Sequence, residues 1–104
     1  MQRVPVDAHP YQEQSFEIGD RRIRLTLRFN AIGEFWAIDV FDEAAQQHVA
    51  QGLALVVGVP VLWRSTVPYF FWVTDESGAN LDPARQDDLG LRCLVYVGLK
   101  SEVL

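Results

Sequence analysis

The chain predicts an all-β fold: one small antiparallel β-barrel or sandwich of about six strands with an extended N-terminal arm. Three observations carry this. From Arg22 to Phe29 the residue types alternate strictly, with Arg22, Arg24, Thr26 and Arg28 on one side and Ile23, Leu25, Leu27 and Phe29 on the other. A strand turns successive side chains to opposite faces, so this is a half-buried strand with a guanidinium-rich outer face. Second, further short alternating or apolar runs recur between turn residues at intervals of about 8–12 residues, the spacing of all-β domains. Third, Tyr69 to Thr74 is entirely aromatic or β-branched, the composition of a pleated, packed surface.

Taken in order, residues 1–11 form the arm and residues 12–104 a single β domain. Pro5 and Pro10 bias the residues before them toward extended geometry and give no ladder hydrogen bond. The arm therefore has little to bury against its own domain and is expected to reach a neighbouring subunit. Gln12 to Ile18 is the first strand, and Gly19-Asp20 turns it into the Arg22–Phe29 strand. Asn30-Ala31-Ile32-Gly33-Glu34 supplies turn chemistry, with Asn and Gly both tolerant of positive φ. A third strand runs from Glu34 to Phe41, with Trp36, Ile38 and Val40 on its apolar side. Asp42 to Gln47 is a hairpin loop. His48 to Val57 is a fourth strand, in which Gly52 marks a bulge. The run Leu53 to Val59 is apolar at almost every position, as in a strand covered on both faces. Pro60 closes it. Tyr69–Thr74 is the fifth strand, and the segment from Asp75 to Gly90 is a long irregular connection carrying Asp82, Asp87 and Asp88. Leu91 to Val97 is the last strand, with Leu94 and Tyr96 expected in the core beside Leu27, Ile38 and Val40.

Composition narrows the function. With 49% hydrophobic and 12% aromatic residues, the chain folds. No apolar run reaches the roughly 18–20 residues of a membrane helix. The N-terminal residues lack the basic-then-apolar build of a signal peptide, and the single cysteine excludes an intrachain disulfide, so synthesis in the cytoplasm fits. The net charge of −5 argues against a nucleic-acid binder. Residues 1–30 nevertheless hold five basic groups against four acidic ones. The Arg22, Arg24 and Arg28 strip has two readings: a face that meets acidic groups such as Asp87 and Asp88 on a neighbouring copy, or an ordinary solvated strand face.

Nothing in the sequence calls for catalysis, a cofactor or a metal. His9 and His48 are isolated, and there is no nucleophile elbow or glycine-rich phosphate loop. Cys93 lies in an apolar strand, where a free cysteine is usually a small buried hydrophobe. Asp82, Asp87 and Asp88 lack the regular spacing of a calcium loop. The aromatics are more informative. Tyr69 and Phe71 share one strand face, Phe70 and Trp72 the other, so one pair points away from the interior. Tyr69 and Phe71, with Trp63, are the expected interface aromatics. A second small cluster beneath the arm or the 75–90 loop is the other account of them.

The order of these segments resembles the baseplate plug family of tailed bacteriophages. The resemblance runs from about Gln14 to Tyr96. It rests on RRIRLTLRFNAIGEFWAIDVFD, on GLALVVGVPVL and on DDLGLRCLVYV. Leu25, Leu27, Arg28, Asn30, Gly33, Trp36 and Asp39 stand at the family's first motif, and Asp88, Leu89 and Gly90 match its Asp-Leu-Gly. The turn at 42–47 departs from the family in lacking Gly or Pro, and Trp-Arg-Ser-Thr-Val-Pro follows Leu62 where a Tyr-containing segment is usual. The resemblance implies a non-enzymatic structural subunit in the virion tail baseplate. It would contact itself in a ring, with tube, hub and spike proteins as neighbours, and help close the distal end of the tail. The competing reading from the residues is a free-standing β-barrel whose aromatics line a small-molecule or peptide cleft.

Overall fold

A computed structural model describes residues 2–102. Met1 in the arm, and Val103 and Leu104 at the end of the expected β domain, lie outside the described residues. Among the described residues seven strands follow in order: β1 Gln2–Val4, β2 Tyr11–Ile18, β3 Arg21–Asn30, β4 Phe35–Asp42, β5 Gln47–Ala54, β6 Tyr69–Asp75 and β7 Cys93–Leu99. They form two antiparallel sheets, β1-β7-β6 and β2-β3-β4-β5. Short 3-10 turns occupy Gln86–Asp88 and Lys100–Glu102.

The alternation in β3 does what it predicts. Ile23, Leu25 and Leu27 are fully buried, as are their partners Ile38 and Val40 on β4. The second sheet contributes Val4, Tyr69, Phe71, Val73, Cys93, Val95 and Val97, and the two apolar faces share one core. Phe29 is half-buried at the margin, tilted against Trp36 at 5.5 Å. In β7 the parity is opposite to expectation. Cys93, Val95 and Val97 face the shared core, so Leu94 and Tyr96 lie on the opposite face, where Leu94 is still buried and Tyr96 half-buried, because a one-residue difference in register exchanges the faces of a strand.

The N-terminal segment departs most from its expected role. Gln2, Arg3 and Val4 pair with Val97, Tyr96 and Val95 of β7, and Val4 is buried in the core. The segment is extended, but it is the edge strand of its own sheet. Pro5 falls just after the strand, where its missing N–H breaks no ladder bond. Gly90 sits directly beneath the continuing backbone: a Cβ there would lie 2.7 Å from the Val6 carbonyl oxygen.

Two other stretches differ. β5 ends at Ala54 and is an exposed edge strand, with Leu53 and Ala54 at the surface. The apolar run is not a strand covered on both faces. It turns inward at Leu55, bridges Val73 at Val57, and lies against Phe71 at Val61, so it shields the free edge of β6. Gly52 does mark an irregularity: the β4–β5 register shifts here, and its N–H leaves the ladder to donate to Asp39 Oδ1 at 2.7 Å. In the 30–34 turn the residue with positive φ is Glu34, not Asn30 or Gly33. Gly33 instead leaves room for the Phe35 ring, which a Cβ would approach to 2.6 Å and force to shift.

Candidate assembly surfaces

The outer face of the four-stranded sheet carries the arginine strip as predicted, but its charges are already matched. Adjacent strands place Glu17 of β2 directly opposite Arg22, and Glu13 of β2 and Asp39 of β4, both opposite Thr26, diagonally beside Arg24 and Arg28. Arg28 pairs with Asp39 at 2.8 Å, Arg22 lies 3.4 Å from Glu43, and Arg24 lies 3.9 Å from Glu13. The Arg24 guanidinium also stacks over Phe41, 4.7 Å from its centroid, and Phe41 meets His48 edge-on. The isolated chain thus carries no row of three unscreened like charges. Exposed pairs of this kind are worth about 0–1 kcal/mol each.

Two polar clusters that sequence reading passed over lie at opposite ends of β6, the first joining the two sheets and the second fixing the connection from β6 to β7. Asp42, at the end of β4, is buried. Its carboxylate accepts from Arg21 at 2.8 Å, from the Tyr69 hydroxyl at 3.0 Å and from the Ala44 and Ala45 N–H groups. Burial pushes the Asp42 carboxyl up, but these hydrogen bonds and the Arg21 charge outweigh it and hold it below its ordinary value. Burial and the neighbouring carboxylate push the Tyr69 hydroxyl well above its usual range. At the opposite end Asp75 accepts from Ser77 Oγ and N and from the Leu81 N–H, and pairs with Arg92 at 2.8 Å. The Ser77 hydroxyl foremost, then the Leu81 N–H, bring the Asp75 carboxyl down to about 2. Arg92 also binds Asp88 at 3.1 Å and the Leu81 and Asp82 carbonyls, pinning the 76–92 connection to the strands. Asp88 is therefore committed within the chain. Asp87 is exposed.

The aromatic expectation is corrected. Tyr69 and Phe71 are fully buried, meeting edge-on at 6.2 Å, and neither reaches the surface. Phe70 and Trp72 are the outward pair. Trp63 folds over Phe70 at 5.1 Å, covering it and remaining half-exposed. Trp72 stands opposite Tyr96, and Tyr96 opposite Arg3. Trp63, Trp72 and Tyr96 thus give the outer face of the β1-β7-β6 sheet an aromatic surface. The signal for it was the parity of β7, where Cys93, Val95 and Val97 are the uniformly small-to-medium apolar set.

A family model described as the cyanophage baseplate Pam3 plug gp18 matches residues 1–100. The chain belongs to that plug family. The match spans both sheets and both polar clusters, from β1 through the last strand. No curated protein matches the chain. Membership gives it a structural role in a phage baseplate, among other tail proteins. Of the aromatics that the competing binding-barrel reading could use, Tyr69 and Phe71 fill the core. The buried Cys93 thiol is pushed up to about 11, chiefly by burial. Among the described residues no helix is long and apolar enough to cross a membrane.

Proposed function

We propose that the chain is a non-enzymatic structural subunit of a phage baseplate plug, packed between the tail tube and the hub and spike proteins so as to close the distal end of the tail. The family match over residues 1–100 carries this reading. The two sheets, sharing one apolar core, are read as the layers of a sandwich. Its charge supports contact with protein and not with nucleic acid, since a net −5 repels phosphate. Its neighbours are copies of itself in a closed ring and the other tail proteins, reached after synthesis in the host cytoplasm. Trp63 and Asp87 remain interface residues in this reading, and the Arg22, Arg24 and Arg28 face is a secondary one because its carboxylates are supplied within the chain. The test is quantitative mass spectrometry of purified tails, with a phage lacking this chain as control. A fixed number of copies per tail, and leaking or non-infectious particles without them, is expected. Purified infectious tails devoid of the chain would rule the reading out.

A further inference from the structure

We propose that copies of this chain join head to tail, the apolar and acidic end of one copy seating on the aromatic and basic outer face of the β1-β7-β6 sheet of the next. This rests on the reading that the plug contains several copies of the chain.

The apolar end is built from turns that sequence distance separates widely. The β3–β4 turn carries Ile32, 99% exposed. The connection after β6 carries Leu81, 59% exposed, and Leu91, 76% exposed, immediately precedes β7. These turns lie at one end of the molecule. The Trp36 indole of β4 donates to the Arg85 carbonyl at 3.1 Å, and Gln86 reaches the Ala8 carbonyl. A shallow depression lined by Ala31, Glu34 and Arg85 adjoins another lined by Leu81, Asp82 and the same Arg85. Large aliphatic side chains left this open at one end of a small domain mark a contact surface.

Charge says what covers it. Among the described residues the carboxylates without an ion pair are Asp20, Glu34, Glu76, Asp82, Asp87 and Glu102, and the cations without one are Arg3, Arg64, Arg85 and Lys100. They are sorted in space. Glu34, Asp82 and Asp87 lie at the apolar end, opposed there among these cations by Arg85 alone, whereas Glu76 accepts from the Thr74 hydroxyl on the outward side of β6. Arg3, Arg64 and Lys100 fringe the aromatic face. Arg3 stands opposite Tyr96, Arg64 follows Trp63, and the Lys100 ammonium donates to the Ser65 carbonyl at 2.8 Å, with Glu102 nearby. One chain therefore displays two unlike patches that complement each other in charge and are both apolar at their centres. Such a pair makes a heterologous contact, which closes into a ring when the rotation permits.

Two charge-reversed variants test this. One carries Glu34→Lys and Asp87→Lys, the other Arg3→Glu and Arg64→Glu, all exposed positions outside the core. Sedimentation velocity against concentration and salt is the readout, with circular dichroism to verify folding. Wild type should associate at low salt and dissociate as salt rises, and each variant alone should associate roughly tenfold more weakly or worse, because reversal sets like charges face to face. An equimolar mixture of the two variants should recover association, since each supplies the patch the other now needs. Ile32→Glu, at a side chain open to solvent, should weaken association without altering the circular dichroism. The proposal is overturned if wild type stays monomeric at low salt and high concentration, if either variant associates as tightly as wild type, or if the mixture of folded variants stays monomeric. Tail incorporation of a monomeric wild type would leave the baseplate role standing while removing this contact, and its absence from tails would count against the role itself.

Discussion

Val4→Ala is the perturbation that separates an arm from a strand. Val4 is 1% exposed, paired with Val95 and packed in the shared core, whereas its neighbour Arg3 points to solvent. Removing two buried methyl groups costs about 0.8 kcal/mol each in transfer free energy. The cavity they leave adds a smaller contribution of about 0.5–1.5 kcal/mol, giving about 2–3 kcal/mol in total. For a domain of this length each kilocalorie lowers the thermal midpoint by roughly 4–8 °C, so a fall of roughly 8–24 °C is expected. Differential scanning calorimetry of Val4→Ala beside Arg3→Ala provides the comparison, the latter shifting stability by no more than about 0.5 kcal/mol as surface changes do. Equal midpoints for the two variants would refute the reasoning and return residues 2–4 to the role of a free arm.

Leu27→Ala, at a fully buried position of the central strand, should cost about 2–5 kcal/mol in urea unfolding. Arg92→Met removes the charge partner of Asp75 and Asp88 and the donor to the Leu81 and Asp82 carbonyls, so it should lower the thermal midpoint and expose the 76–92 connection to limited proteolysis first. Asp75 titrates near 2 in the folded chain against 3.8 for the free group, so its contribution is complete above pH 3.8 and is lost as pH falls toward 2. The thermal midpoint of wild type should therefore drop across that window, and Asp75→Asn should flatten the drop; an unchanged slope would remove Asp75 from the acid response. Replacing Arg22, Arg24 and Arg28 together by Gln should change stability little, about 0–1 kcal/mol for each exposed pair lost.

Much of this fold is legible in the residues, and the misreadings have physical causes. Strict alternation at 22–29 and 35–41 identifies β3 and β4 because one face of each is buried and the other wet. β1 is invisible for the opposite reason: three residues between a terminus and a proline carry no period, and only Val4 betrays a core contact. In the run from Leu53 to Val59, apolar character does not distinguish a strand from a crossing segment, and the chain uses it to cover the edge of β6. Tyr69, Phe70, Phe71 and Trp72 offer large aromatics on both faces, so composition leaves the inward pair open. Asp42 decides it, since its buried carboxylate gives the Tyr69 hydroxyl the partner a buried phenol needs. The apolar end was equally hidden, because the turn carrying Ile32 and the connection carrying Leu81 reach the same end of the molecule only when the two sheets pack and Trp36 meets Arg85.

The central claim, that this chain is a baseplate plug subunit, is tested most directly by a cryo-EM reconstruction of the tail tip from the phage that encodes it. The account predicts density fitting both sheets at the distal end of the tube, against the hub, with Ile32 and Leu81 of one copy facing Trp63 and Trp72 of the next. A tail tip fully occupied by other proteins, with no density for this chain between tube and hub, would contradict it.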